Sequence, residues 1–179
     1  MYKKSIFWFR QDLRTYDNHG LIECIENSHE VLPIFILDEN LIAGFGSLDD
    51  QKFSFLREML ENLSTELTNL GGVELSILFG KPEEIIPNLA KNNEIEAIYC
   101  NRSYGIYGVN RDRNIASKIS FLNIELHRVS DYLLVEPEDI VTRKVFTPYF
   151  RLWKRFLETR SDRTEELSPK VFKGIHIQE

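Results

Sequence analysis

Cysteine, glycine and long apolar runs are all scarce in this chain of 179 residues, and each scarcity removes a class of protein. The two cysteines, Cys24 and Cys100, have no C-x-x-C partner. They exclude a disulfide framework and read as buried, reduced thiols inside helix and strand patterns, as in a cytosolic (cytoplasmic) protein. The first apolar stretch, residues 6–9, stops at Arg10; it is too short for the h-region of a signal peptide, despite the basic Lys3-Lys4 before it. No later run approaches a membrane span, so no membrane partner is expected. The four histidines, His19, His29, His127 and His176, lack metal-ligand spacing, and no Ser/His/Asp constellation can be assembled. Glycine is missing where nucleotide-binding folds place a glycine-rich turn, because none follows the first apolar run until Gly20.

What is present fits one globular domain with a real core, at 42% hydrophobic residues. The net charge of −6 is uneven. Residues 143–173 hold nine Lys/Arg against four Asp/Glu, so this tail carries +5 and the remainder −11. An acidic body is a poor non-specific DNA binder, because neutralising phosphates takes clustered cations. Near-continuous apolar and β-branched runs recur at residues 5–9, 31–37, 73–79, 97–100 and 124–129, the pattern of parallel strands buried on both faces.

Helical periodicity fills the gaps. Phe53, Leu56, Leu60, Leu63, Leu67 and Leu70 form one apolar face closed by Gly71-Gly72. Asn18 is placed to cap a helix through Leu21, Ile22 and Ile25; Pro82 with Glu83-Glu84 opens another; a fourth begins near Asn110. Residues 158–166 read as a polar linker or frayed end. The alternation predicts a doubly wound α/β fold with a five-stranded parallel sheet and right-handed crossovers, and the order expected for it, Rossmann-like, is 3-2-1-4-5, an order that the family resemblance given below implies and that alternation alone does not fix.

In such a sheet the ligand crevice lies at the carboxyl ends of the strands, where the order reverses. The flanking loops are residues 10–17 and 101–110, with Asp38 and Gly80-Lys81 on the same edge. Arg10 and Arg14 offer planar donor forks, and Gln11 and Asn101 offer neutral hydrogen bonds. Tyr104 and Tyr107 either stack on a ring system or pack against the next helix. Asp12 and Arg14 are expected as a structural pair, bonded to each other or to nearby main chain. Arg111, Asp112 and Arg113 read as opening a helix, either as a solvated face or toward an anion. The residues by themselves describe a binder of a planar, anionic small molecule, with no metal.

Phe7-Trp8-Phe9-Arg10-Gln11-Asp12-Leu13-Arg14, followed by Asp17-Asn18, resembles the N-terminal signature of the DNA photolyase/cryptochrome family. Residues 31–38, Gly80-Lys81-Pro82, Asn101-Arg102-Ser103-Tyr104 with Tyr107, and Val145-Phe146-Thr147-Pro148-Tyr149-Phe150 with Trp153-Lys154 continue the match in order. The resemblance implies an N-terminal α/β domain, residues 1–142, that holds a light-harvesting antenna chromophore: methenyltetrahydrofolate, or a flavin or deazaflavin. Residues 143–179 would begin an interdomain linker with a basic aromatic helix. That linker leads in the family to a C-terminal helical domain that binds FAD and DNA and splits pyrimidine dimers with blue light. The residues presented here would therefore form a light-harvesting part of a DNA repair lyase and would not repair DNA alone. The implied cofactor-binding set is Arg10, Gln11, Phe35, Asp38, Asn101, Arg102, Tyr104, Asn110 and Arg111. Asn110-Arg111 stands at the folate-contacting pair and Phe35 at the residue lining a deazaflavin. Two other readings remain: a free-standing nucleotide-binding module, or an interaction or signalling domain of cryptochrome type. In the last, Phe150, Trp153, Phe156 and Leu157 would dock a partner.

Overall fold

The apolar runs near the start of the chain are continuous because both faces of their strands are covered. In β1 (Tyr2–Phe9) and β2 (Ser28–Leu37), alternate residues feed two separate cores. Ile6, Trp8, Leu32, Ile34 and Ile36 join one cluster, while Phe7, Phe9, Val31 and Phe35 join the other. The structure is a computed structural model and describes residues 1–42, 51–159 and 169–177.

Three further strands, β3 (Ser76–Phe79), β4 (Ala97–Asn101) and β5 (Glu125–Val129), complete one sheet in the order 3-2-1-4-5, as predicted. Every pairing is parallel. The helices are α1 (His19–Asn27), α2 (Glu39–Ile42), α3 (Gln51–Gly71), α4 (Pro82–Asn92), α5 (Ile106–Ser120) and α6 (Phe146–Thr159). Leu21 and Cys24 of α1 and Leu60, Leu63 and Leu67 of α3 fill one core, and Ile86 and Leu89 of α4 and Ile115 and Ile119 of α5 fill the other. Each such fully buried aliphatic side chain contributes about 1.5–3 kcal/mol.

Several boundaries move for local reasons. Strand β2 starts at Ser28, whose hydroxyl donates to Ser5 Oγ at 2.7 Å in the interior. Strand β3 starts only at Ser76, because the Leu75 amide is taken by Ser64 Oγ at 3.1 Å. Helix α5 begins at Ile106, one turn before the expected Asn110, with Gly105 as its cap and the Val109 amide closing the first turn on Gly105 O at 2.9 Å. Helix α3 ends as expected, with Gly72 at φ +63°. Of the polar stretch expected at residues 158–166, Glu158 and Thr159 end α6, and the rest lies outside the described residues.

Residues 169–177 lie beyond α6 in the chain. They return to the α/β body: the Val31 amide donates to Lys173 O at 2.9 Å, and Ile175 donates back to Val31 O at 3.0 Å. This short parallel bridge continues the edge of β2 beyond β3. Gly174 is required there, since a Cβ would stand 2.1 Å from Val73 Cγ1. Between β5 and this segment runs α6, none of whose residues is buried; Phe146 is 74% exposed.

Candidate functional site

Where β1 ends, a polar knot holds the next turn against the end of β4. Asp12 Oδ1 accepts from the Arg10 amide at 2.7 Å, and Oδ2 accepts from Asn101 Nδ2. Asn101 Nδ2 also donates to Asn18 Oδ1 at 2.8 Å, and Asn101 Oδ1 accepts the Gly20 amide at 3.0 Å. The same Asn18 oxygen caps α1 through the Leu21 amide at 3.1 Å. Gly20 permits this approach, because a Cβ would lie 2.3 Å from Asn101 Oδ1. Burial pushes the Asp12 carboxyl above its usual range, opposed by the hydrogen bonds from the Arg10 backbone and Asn101.

Asp12 and Arg14 do not form the ion pair that the sequence suggested as one option. Arg14 Nη2 reaches the neighbouring main chain at Asp17 O and the carboxylate of Asp131, both at 2.7 Å. Asp131 also accepts the His19 amide at 3.0 Å. Asp131 follows β5, so only the folded sheet brings it here, and nothing in its local sequence marks it.

On the other face of this loop, Arg10 Nη1 donates to both oxygens of Asp112, at 2.8 and 2.9 Å. Arg111 donates to Asp112 Oδ1 through Nη2 at 2.9 Å and Nε at 3.1 Å. The Asp112 side chain is 1% exposed and that of Arg10 8%. The stretch Arg111-Asp112-Arg113 is therefore no solvated face; only Arg113 points to solvent. Both guanidinium groups lie against Trp8, with Arg10 Cζ 4.9 Å and Arg111 Cζ 4.5 Å from the ring centroid. Among the described residues, Arg10 Nη2 is the buried side-chain donor without a hydrogen-bond partner.

These groups line a cleft of about 280 Å³ at the carboxyl ends of β1 and β2, beside the switch point between β1 and β4. Trp8, Phe9, Phe35, Ile36, Pro82 and Tyr107 supply its apolar walls, and Arg10, Gln11, Asp38 and Arg111 its polar groups. Tyr107 donates its hydroxyl to Asp38 Oδ2, which joins two walls. Five of the nine residues in the implied cofactor-binding set thus meet in one place, Arg10, Gln11, Phe35, Asp38 and Arg111, and Tyr107 of the expected ring faces joins them.

The other four do not line it. Asn101 is sealed in the knot behind it, and Asn110 is exposed on α5. Arg102 and Tyr104 brace the segment after β5: Tyr104 donates to Glu136 at 2.7 Å, and Arg102 pairs with Glu136 at 3.2 Å and with Glu138. Burial, followed by Glu136, pushes the Tyr104 hydroxyl up to about 12. Sequence reasoning missed Trp8, Phe9, Ile36 and Pro82 of the lining, and Asp112, which holds Arg10. The period-two alternation of β1 is the signal that places Trp8 and Arg10 on one face.

A larger hollow of about 540 Å³ lies between α1 and β5, lined by His19, Glu23, His127 and Ser130 among others, but it is shallow. Among the described residues, no three His, Cys, Asp or Glu gather as a metal site, and no helix is long and apolar enough to cross a membrane.

An open parallel α/β sheet with a ring-walled cleft on its carboxyl edge defines a Rossmann-like α/β unit. The family model for DNA photolyase matches residues 5–170, and the chain belongs to that family. It is 29% identical over 154 residues to a deoxyribodipyrimidine photo-lyase of Synechococcus sp., which covers 83% of this chain and 31% of that protein. It is 27% identical over 139 residues to the cryptochrome DASH of Synechocystis sp., covering 75% and 28%. Among solved structures, an archaeal photolyase from Sulfolobus tokodaii with two FAD molecules, described as implying a novel light-harvesting cofactor, superposes with a TM-score of 0.76 at 27% identity. That match covers 96% of this chain and 38% of the archaeal one. The chain therefore spans about a third of the length of these relatives.

Proposed function

We propose that this chain is the N-terminal antenna domain of a deoxyribodipyrimidine photolyase and that its cleft beside Trp8 takes a planar chromophore of the flavin or deazaflavin class. The observation that carries this reading is Arg10 Nη2, a buried donor without a partner on a residue that lines a cleft otherwise walled by rings. Leaving such a donor unmade costs about 1–3 kcal/mol, more for a charged group, so a ring carbonyl or ring nitrogen placed there is favoured. The cavity of about 280 Å³ lies just under the roughly 300–1,000 Å³ usual for ligand clefts, which suits one ring system rather than a whole dinucleotide.

When bound, the chromophore would absorb light and pass the excitation on without making or breaking bonds. The chain's own residues hold and orient. Asp112 fixes the Arg10 fork, the Asp12–Asn101–Asn18 knot fixes its loop, and the Tyr107–Asp38 bond sets the facing wall. A site locked by such supporting bonds keeps one orientation, which energy transfer requires. The second FAD of the archaeal relative supports a flavin-class ligand. The exposed position of Asn110 weighs against methenyltetrahydrofolate at the residue expected to meet it.

The rest of the reading concerns the whole protein: a helical domain with FAD and a DNA groove, dimer repair, and a cytoplasmic location suggested by two buried free thiols. The open aromatic side of α6 is the surface such a helical domain would cover. The test is an absorption and fluorescence titration of the chain with flavin mononucleotide, a deazaflavin and methenyltetrahydrofolate. A flavin-class ligand is expected to shift its spectrum on binding, and Gln11→Trp at the cleft rim is expected to abolish the shift. Absence of any shift, or equal binding by Gln11→Trp, overturns the proposal.

A further inference from the structure

Trp8 carries an indole, one of the readily oxidised side chains, and it lines a cleft proposed to hold a light-absorbing ring. An excited ring is a one-electron oxidant. If it took an electron from Trp8, the indole would be left as a radical cation, the ring would be reduced by one electron, and the excitation would be lost. We propose that Arg10 and Arg111 form a cationic clamp that keeps this electron on Trp8.

The geometry is specific. Two guanidinium groups stand 4.9 and 4.5 Å from the ring centroid, and Trp8 is 2% exposed. Both cations are paired to the carboxylate of Asp112, with Asp12 also acting on Arg10 and Asp38 on the cleft wall, so the guanidinium groups are the charges set against the ring itself while the carboxylates stand around them. Arg111 is not needed to neutralise Asp112, whose two oxygens Arg10 already occupies. Its remaining contacts are the faces of Trp8 and Tyr107, the latter at 5.6 Å. A cation over a neutral indole is attracted by the ring's negative face. Once the ring loses an electron, that attraction becomes repulsion between like charges, weakly screened because the indole and both guanidinium groups are largely buried. Each guanidinium therefore disfavours the oxidised indole while stabilising the neutral one.

The identity of the oxidant rests on the proposed function; the effect of the clamp on Trp8 does not. The experiment uses a Trp153→Phe background, which leaves Trp8 as the single tryptophan. Photogenerated ruthenium(III) tris-bipyridine oxidises the unliganded chain, and the indole radical is followed by its absorption. Arg111→Met is expected to speed oxidation of Trp8 about tenfold, while Arg111→Lys, which keeps the charge, stays close to the parent. Equal rates in all three chains overturn the clamp. If Arg111→Met fails to fold, Arg111→Gln, which keeps a donor for Asp112, takes its place. With flavin mononucleotide bound, the ligand's fluorescence lifetime is expected to shorten in Arg111→Met and not in Arg111→Lys; an unchanged lifetime overturns the protective role. Failure of flavin mononucleotide to bind the parent chain counts against the proposed function, and the ruthenium measurement then decides the clamp alone.

Discussion

Replacing Asp112 by Asn keeps its shape and removes its charge, at a point where two guanidinium groups converge. Arg10 depends on it most, since its side chain is only 8% exposed and Nη1 has both Asp112 oxygens as acceptors. Breaking a buried pair by removing one partner's charge costs about 3–5 kcal/mol. The Asn oxygen can still accept one of the two Arg10 bonds, which sets the expectation at the low end, about 3 kcal/mol. With a urea slope of about 2 kcal/mol/M for a domain of this size, the unfolding midpoint should fall by about 1.5 M. Far-ultraviolet circular dichroism during urea titration reads it directly. The paired variant Arg10→Met with Asp112→Leu should recover most of the loss, because replacing a whole buried ion pair by apolar groups is often close to neutral. A midpoint shift below about 0.5 M for Asp112→Asn would refute the reasoning, since Arg10 would then be finding solvent instead.

Cys24 and Cys100 are fully buried, and burial pushes the Cys100 thiol up to about 11 and that of Cys24 higher still. Neither should react with an aromatic disulfide reagent at pH 8 in the native chain, and both should react in denaturant. Tyr104, with its hydroxyl raised to about 12 by burial and by Glu136, gives stability that is complete below its unfolded value near 10. That contribution is lost as pH rises through about 12, and Glu136→Gln should bring the phenolate absorbance of Tyr104 to lower pH. Gly174→Val would drive a side chain into Val73 and detach residues 169–177 from β2. Hydrogen exchange should then quicken at the Val31 amide while the core amides of β1 keep their protection.

Continuous apolar runs announced the parallel sheet because strands covered on both sides have no polar face to show, whereas the order 3-2-1-4-5, which the strands do adopt, is not fixed by apolar runs or by right-handed crossovers and comes from the family resemblance. The start of α5 was less legible: Gly105 supplies no side-chain cap, so the helix begins before its first strong periodic residues. In the site, Arg10 and Phe35 were visible because they end strands that could be located. Asp112 was not, because a carboxylate in a run of charges looks solvated until the fold brings Arg10 across to it over 102 positions of sequence. Arg102 and Tyr104 were drawn toward the cleft by nearness in sequence to Asn101, whereas their partners Glu136 and Glu138 lie after β5, where spacing gives no hint of contact.

Helix α6 offers a stacked row of rings, Phe146 to Phe150 at 5.8 Å and Phe150 to Trp153 at 6.1 Å, yet none of its residues is fully buried. Ahead of it, Glu136 and Glu138 are fastened to Arg102 and Tyr104; behind it, residues 169–177 are fastened to β2. The chain therefore returns to the sheet after carrying an exposed aromatic helix away from it, so both described ends of the excursion sit on the α/β body. Closing such a loop costs entropy that grows only slowly with its length, and that cost falls within the fold of this chain and not on any later binding to the rings.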